Sequence, residues 1–230
     1  MQRYFAIDKK ENLLIVSEND LHHIKNVMRK KNGDKVEVVY EDILYLGMIN
    51  DNEISIIEII DEKKSNQIIR IIIPFLKETK LDFILQKATE LNASEVILIE
   101  TERSVVKIKE NKLEEKLKRW NKICKEAAEQ SKRLEVPTVK FLTSPNVFSL
   151  TGVKLICHPN AKQTVTNSLK NIGSCDTINI LIGPEGGFSP KEVSIFEKNG
   201  FSPINLGENI LRVETVPLFL LSILYYKNLE

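Results

Sequence analysis

Cysteine is scarce in this chain: Cys124, Cys157 and Cys175 are three among 230 residues, widely spaced and without a Cys-x-x-Cys pair. An odd, scattered set argues against a disulfide framework and offers no zinc-binding spacing, so a reducing, cytoplasmic setting and no metal are expected. Long apolar runs are also missing. The opening MQRYFAIDKKEN lacks the apolar core of a secretion signal, and the run Leu218 to Tyr226 falls well short of the ~20 residues that span a bilayer. The expectation is a soluble protein. No glycine-rich loop is followed by Gly-Lys-Ser/Thr, and Gly-x-Gly-x-x-Gly does not occur, which disfavours a nucleotide triphosphatase and a Rossmann dehydrogenase. With 42% apolar residues, no internal repeat and no low-complexity tract, the chain has what a sizeable core requires.

Charge is almost balanced, at +1 overall, but it is not evenly spread. Residues 103 to 140 hold twelve Lys and Arg against six Asp and Glu, while the remaining segments are neutral or slightly acidic. Two readings stand: a face that binds a polyanion, or a solvated helix laced with Glu and Lys pairs.

The first 70 residues read as short strands, RYFAI, NLLIV, KVEVVY, ILYLGMI and EISIIEII, with Asn32-Gly33-Asp34 and Asn50-Asp51-Asn52 as turns. One helical signal interrupts them, Glu18 to Lys31, with Leu21, Ile24, Val27 and Met28 on one face. The polar string Asp61 to Gln67 reads as a linker, giving a β domain over 1–67 and a second domain over 68–230. In the second, strands alternate with helices. Ile68 to Leu76, Glu95 to Glu100, Val153 to Cys157, Ile178 to Ile182 and Pro203 to Leu206 read as strands; Lys80 to Leu91 and Leu113 to about Arg133 read as helices. In the long helix Leu117, Trp120, Cys124, Ala127 and Ala128 form the apolar stripe. This grammar predicts an open α/β sheet whose ligands sit at the carboxyl ends of its strands.

Two loops fall at such ends. In LIGPEGGFSPKE, Ser189-Pro190-Lys191-Glu192 reads as a capping box with proline at the first helical position, and the glycines before it permit backbone to approach a ligand or to turn tightly. A structural turn and a binding loop both fit. The second loop continues from Gly207 through Glu208-Asn209-Ile210-Leu211 to what reads as a buried Arg212 and Glu214, and together the loops predict a cleft.

GPEGGFSPKE followed by LGENILRVET resembles the paired signature of the SPOUT-superfamily RsmE family, which methylates N3 of a uridine in the decoding region of 16S ribosomal RNA. QKATEL at Gln86 to Leu91, the run from Glu102-Arg103 through RWNKICKEAAEQSKR to Pro137, and HHIKNVMRKKNGDKVEV extend the resemblance over most of the chain. It implies an α/β fold: a C-terminal SPOUT domain with a mostly parallel sheet and a trefoil knot, plus a small N-terminal PUA-like β-barrel that grips RNA. It implies S-adenosyl-L-methionine bound to Ile182, Gly183, Pro184, Glu185, Gly186, Gly187, Leu206, Gly207, Ile210, Leu211 and Thr215. It further implies a homodimer, for which the apolar Leu218 to Tyr226 supplies a surface, although burial within one subunit competes. Asn209, Val216 and Asn92 stand where the family usually has arginine, alanine and glycine, and Pro217 is expected to bias Val216 towards an extended backbone.

Under this resemblance Arg212 polarises the uracil carbonyls or binds its phosphate, and Glu214 orients that guanidinium or takes the N3 proton; a plain Arg-Glu pair pinning the loop is the competing account. Glu126, Gln130 and Arg133, at i, i+4 and i+7, are expected to line an RNA cleft with Arg103 and Lys132, while His23, Arg29 and Lys30, beside His22 and Lys31, add contacts from the barrel. His158 beside Cys157 has no second pair and is read as structural. The rivals are a ribose-methylating enzyme of the same superfamily and a non-catalytic module of ribosome assembly.

Overall fold

A computed structural model describes residues 1–63, 67–170, 172–173, 176–227 and 229; Cys175 lies outside them. Five strands, β1 (Arg3–Lys10), β2 (Leu13–Val16), β3 (Lys35–Tyr40), β4 (Ile43–Asn50) and β5 (Glu53–Glu62), form a closed barrel in the order β1-β2-β5-β4-β3. Parallel pairing of β1 with β3 closes it, the other contacts being antiparallel. Alternate residues point inward, so Tyr4, Leu14, Val16, Val36, Val38, Tyr45, Ile49 and Ile54 fill the interior with Ile24 as a plug. The two expected turns hold each other: Asn32 Nδ2 donates to Asp51 Oδ1 at 2.7 Å, and Asp51 N donates to Asn32 Oδ1 at 3.0 Å.

The single helix expected over Glu18 to Lys31 is shorter and irregular. Ser17 caps α1 (Glu18–His22), which passes into a π-helical stretch, His23–Val27. Met28 N then bonds back to His23 O and Arg29 turns to φ 53°, ending the helix before Lys30 and Lys31.

Residues 1–64 form a compact unit together with 128–136. Within it Arg3 binds the carbonyls of Lys132 and Arg133 and the carboxylate of Glu37, which Lys132 also meets at 3.2 Å. Both cations outweigh burial and hold the Glu37 carboxyl below its ordinary range.

The second unit is built on a six-stranded parallel sheet. In chain order its elements are β6 (Ile68–Pro74), α2 (Glu78–Glu90), β7 (Glu95–Ile99), α3 (Glu110–Gln130), β8 (Thr138–Phe141), α4 (Ser144–Phe148), β9 (Val153–Cys157), α5 (Val165–Leu169), β10 (Thr177–Leu181), α6 (Pro190–Lys198), β11 (Ser202–Ile204) and α7 (Thr215–Lys227). The strand order is β11-β9-β10-β6-β7-β8, every pair parallel. The near-continuous aliphatic strands follow from burial on both faces. One face packs Ile72, Ile97, Ile99, Ile156 and Leu181 against Val147, Phe188, Phe196 and Phe201. Elsewhere in the unit α2 packs against α7. Asn92, after α2, adopts φ 64°, the left-handed cap conformation that glycine also supplies.

Several expectations need correction. β8 was not foreseen. The long helix ends at Gln130, and Lys132 turns to φ 62° while Arg133 N reaches back to Ala128 O at 3.0 Å, a C-terminal capping turn. Arg133 therefore leaves the helical face of Glu126 and Gln130; it is buried and pairs with Glu135 at 2.7 Å. Val216 is helical rather than extended, because Pro217 occupies the first turn of α7, where no intrahelical N–H is needed.

A polar rung crosses the sheet near the amino ends of its strands. Lys140 and Arg70 both pair with Glu95, at 3.0 and 2.7 Å. Arg70 also reaches the Oδ1 of the fully buried Asn179 at 3.4 Å, and Asn179 Nδ2 donates to Thr151 O and Val153 O. Asn179→Ala strands these groups and is expected to lower stability by about 2–3 kcal/mol, read from the shift of the urea unfolding midpoint.

Candidate active site

The chain runs outward from β6 to β7 and β8 on one side, then returns to lay β9, β10 and β11 on the other, so the order reverses between β6 and β10. In open α/β sheets the crevice beyond the carboxyl ends at such a point is where ligands bind. Loop Ile182–Phe188 leaves β10 there. Ile182 N extends the ladder to Ile72 O at 2.9 Å, and Gly187 N closes a turn on Pro184 O at 2.8 Å. Gly187 has φ 65° and open space where a Cβ would stand; at Gly183 a Cβ would lie 3.1 Å from the Phe188 ring. The capping box is present: Glu192 Oε2 accepts from Ser189 N and Ser189 Oγ accepts from Glu192 N. The other oxygen of Glu192 accepts from Glu102 N at 2.8 Å, and Arg103 Nη1 donates to Gly186 O at 3.0 Å. The segment after β7 thus latches the glycine loop in place.

The second loop starts at Asn205, whose backbone bonds Gln163 and Val165 and whose Oδ1 accepts from Gly207 N at 2.8 Å. Gly207 stands at φ 117°, again with open space at its missing Cβ. Leu206 and Leu211 are half-buried, whereas Ile210 is 85% exposed. The expected buried pair is only partly found: Arg212 is exposed, Val213 takes the inward position, and Glu214 is half-buried. Arg212 O accepts from Thr215 N and Val216 N, which starts α7.

Lys80 joins the two loops, and sequence reasoning missed it. It lies in the first turn of α2, directly after β6, and its Nζ is 3.0 Å from Glu185 Oε1 and 3.2 Å from Glu214 Oε2. The Glu185 contact is an aligned hydrogen bond; the Glu214 contact is an ion pair, and Glu214 Oε2 is buried with no hydrogen-bond partner among the described residues. The hydrogen bond to Glu185, and then the pairing with Glu214, raises the Lys80 ammonium above its usual range. Burial pushes the Glu185 carboxyl up, but its own backbone hydrogen bond, Lys80 and Lys77 outweigh this and hold it below the usual range. A signal existed: a helix N-terminus disfavours a cation, so a lysine there calls for anionic partners.

Arg29 is exposed, Lys30 is half-buried, and His23 Nδ1 is 3.0 Å from Tyr4 Oη. Lys132 is engaged by Glu37 and by Met1 O. Glu126 and Gln130 are exposed, Glu126 lying 3.8 Å from Lys122. Along α3 the pairs Lys116–Glu78, Arg119–Asp82 and Lys118–Glu114 engage three cations of the basic segment. His158 Nδ1 accepts from Asn160 N at 3.3 Å. Among the described residues no group of three His, Cys, Asp or Glu is placed to hold a metal, and no helix is long and apolar enough to cross a membrane.

The chain matches the family model of an RNA methyltransferase domain over residues 63–225 and of an RNA methyltransferase PUA domain over residues 16–60. It is 36% identical to ribosomal RNA small subunit methyltransferase E of Mesomycoplasma hyopneumoniae, over 96% of this chain and 98% of that protein. It is 33% identical to the Bacillus subtilis protein of the same name, over 99% and 97%. Among solved structures, a hypothetical protein at 30% identity superposes with a TM-score of 0.86 over 98% of each chain. Ribosomal RNA small subunit methyltransferase E from Neisseria gonorrhoeae, solved bound to S-adenosyl methionine, has the same fold at a TM-score of 0.85 and 24% identity, over 99% of this chain and 98% of that one. A barrel followed by an all-parallel α/β sheet, matched end to end in this way, makes the chain a member of the RNA methyltransferase family of ribosomal RNA small subunit methyltransferase E.

Proposed function

We propose that this chain transfers a methyl group from S-adenosyl-L-methionine to N3 of a uridine in the decoding region of 16S ribosomal RNA. Support comes from the crevice at the sheet's reversal point, where two glycine-bearing loops converge on Lys80, taken with the whole-length likeness to relatives that bear a ribosomal RNA methyltransferase name. The open space at Gly187 and Gly207 suits a cofactor laid against bare backbone. Ile182, Gly183, Pro184, Glu185, Gly186 and Gly187 hold one side of it, and Leu206, Gly207, Ile210, Leu211 and Thr215 the other, within a C-terminal trefoil knot. When bound, S-adenosyl-L-methionine supplies a methyl carbon that departs from sulfur, leaving sulfur the bonding pair, as the N3 pair forms the new bond.

Uracil N3 carries a proton and its pair is delocalised, so the protein has to remove that proton and stabilise the charge that develops. Glu214 accepts the proton and ends as a neutral acid; the exposed Arg212 guanidinium reaches the uracil oxygens or the adjoining phosphate. Arg103 has a second duty as the prop of Gly186, so its RNA contact is secondary to holding the loop. The barrel supplies further RNA contacts through His23, Arg29 and Lys30, and Glu126 and Gln130 present an exposed face of α3. Lys132 and Arg133 act through the fold that they hold.

The outward side of α7, where Leu218, Phe219, Ser222, Ile223 and Tyr226 line an open apolar groove, is the surface on which a second copy packs to make a homodimer. The working compartment is the cytoplasm, where the small subunit is assembled.

Incubation with methyl-labelled cofactor and small subunits reconstituted on unmodified 16S RNA, followed by nuclease digestion and mass spectrometry, should yield N3-methyluridine. A ribose-methylated nucleoside, or no product alongside no cofactor binding by calorimetry, contradicts the proposal. Arg212→Ala should lower kcat on the order of a hundredfold or more with cofactor affinity by calorimetry little changed. Phe219→Glu should shift sedimentation from dimer to monomer, raising the dissociation constant at least about tenfold.

A further inference from the structure

The cluster at the crevice is not electrically neutral. One ammonium, Lys80, faces two carboxylates, Glu185 and Glu214. Lys80 from α2 pairs with Glu214 and with Glu185 from the loop after β10; Lys77, just before α2, acts on Glu185, and Arg212 on Glu214's own segment is exposed. With both acids ionised the Lys80 triad carries one negative charge, and one proton taken up by Glu214 discharges it. A buried carboxylate oxygen without an aligned hydrogen-bond donor is costly, and Lys80 Nζ, 3.2 Å away, is its ion-pair partner.

We propose that Lys80 is the positioning residue of the reaction: it pairs with Glu214 as a carboxylate through Oε2 and fixes it relative to the cofactor loop through Glu185. This rests on the proposed N3 methylation. Lys80 touches neither base nor cofactor in this scheme and acts only through its two acids. Glu185→Gln removes one tether and leaves Lys80 and Glu214 as a neutral pair, which deepens the hold on Glu214 while loosening the loop.

The test is a carboxyl titration by NMR on full-length protein labelled with 13C at glutamate, the Glu214 signal being assigned with Glu214→Gln. In Lys80→Met the Glu214 midpoint should rise by about one unit or more, and the acid limb of the kcat profile should rise with it. Lys80→Arg, which keeps the charge, should restore both. An unmoved midpoint in Lys80→Met overturns the assignment, as does a midpoint that moves while the acid limb stays. A uniform loss of activity across the pH range, the mark of a merely structural residue, also overturns it. Absence of N3-methyluridine from the wild-type protein refutes the proposed function instead, while the carboxyl midpoints still report whether Lys80 controls Glu214.

Discussion

Everything at the crevice depends on the parallel pairing of β6 with β10, in which Ile69 lies opposite Ile178 and Ile72 opposite Leu181. Parallel strands send their following segments out at the same end. The strand before α2 and the strand before the glycine loop are neighbours in space although more than a hundred residues apart in sequence, so Lys80 and Glu185 meet at 3.0 Å. Each end of the sheet has a different task. Near the amino ends Arg70, Glu95, Lys140 and Asn179 are mutually satisfied across neighbouring strands, as a buried polar network must be. At the carboxyl ends Glu214 Oε2 lacks a hydrogen-bond partner among the described residues, and open space lies beside Gly187 and Gly207.

The glycine loop is permissive in conformation yet firmly held. Its turn closes on Pro184, and its carbonyl at Gly186 is fixed by Arg103. One carboxylate, Glu192, both caps α6 and anchors the backbone of Glu102. A helix start, a loop and the segment after β7 therefore share one anchor. Such a loop presents backbone to a ligand without having to be ordered on binding, which lowers the entropic cost of capture.

Most strands were legible because their burial leaves a pattern: alternation in the barrel, near-continuous aliphatics in β6, broken by Arg70, and in β7. The capping box and the left-handed Gly187 and Gly207 were legible as turn chemistry. β8 was not, because Thr-Val-Lys-Phe at a sheet edge carries one buried side chain and so little periodicity. Arg133 was misplaced since helical spacing runs on through Gln130, whereas the stop depends on Lys132 adopting a conformation that its identity does not favour. The Arg-Glu alternation after Gly207 was read inside out at Arg212, because Val213 fills the inward position between the two charges. Lys80 escaped because its meaning lies in partners 105 and 134 positions away, which no local pattern records.

The central claim is that a sulfonium nucleoside lies against the backbone of the two loops joined through Lys80. A crystal structure of this protein grown with S-adenosyl-L-methionine tests it most directly. The account predicts density for the adenosine between residues 182–187 and 206–211, with Lys80 still bridging Glu185 and Glu214. Cofactor density anywhere else, or loops whose glycines are filled by protein side chains in the bound state, would contradict it.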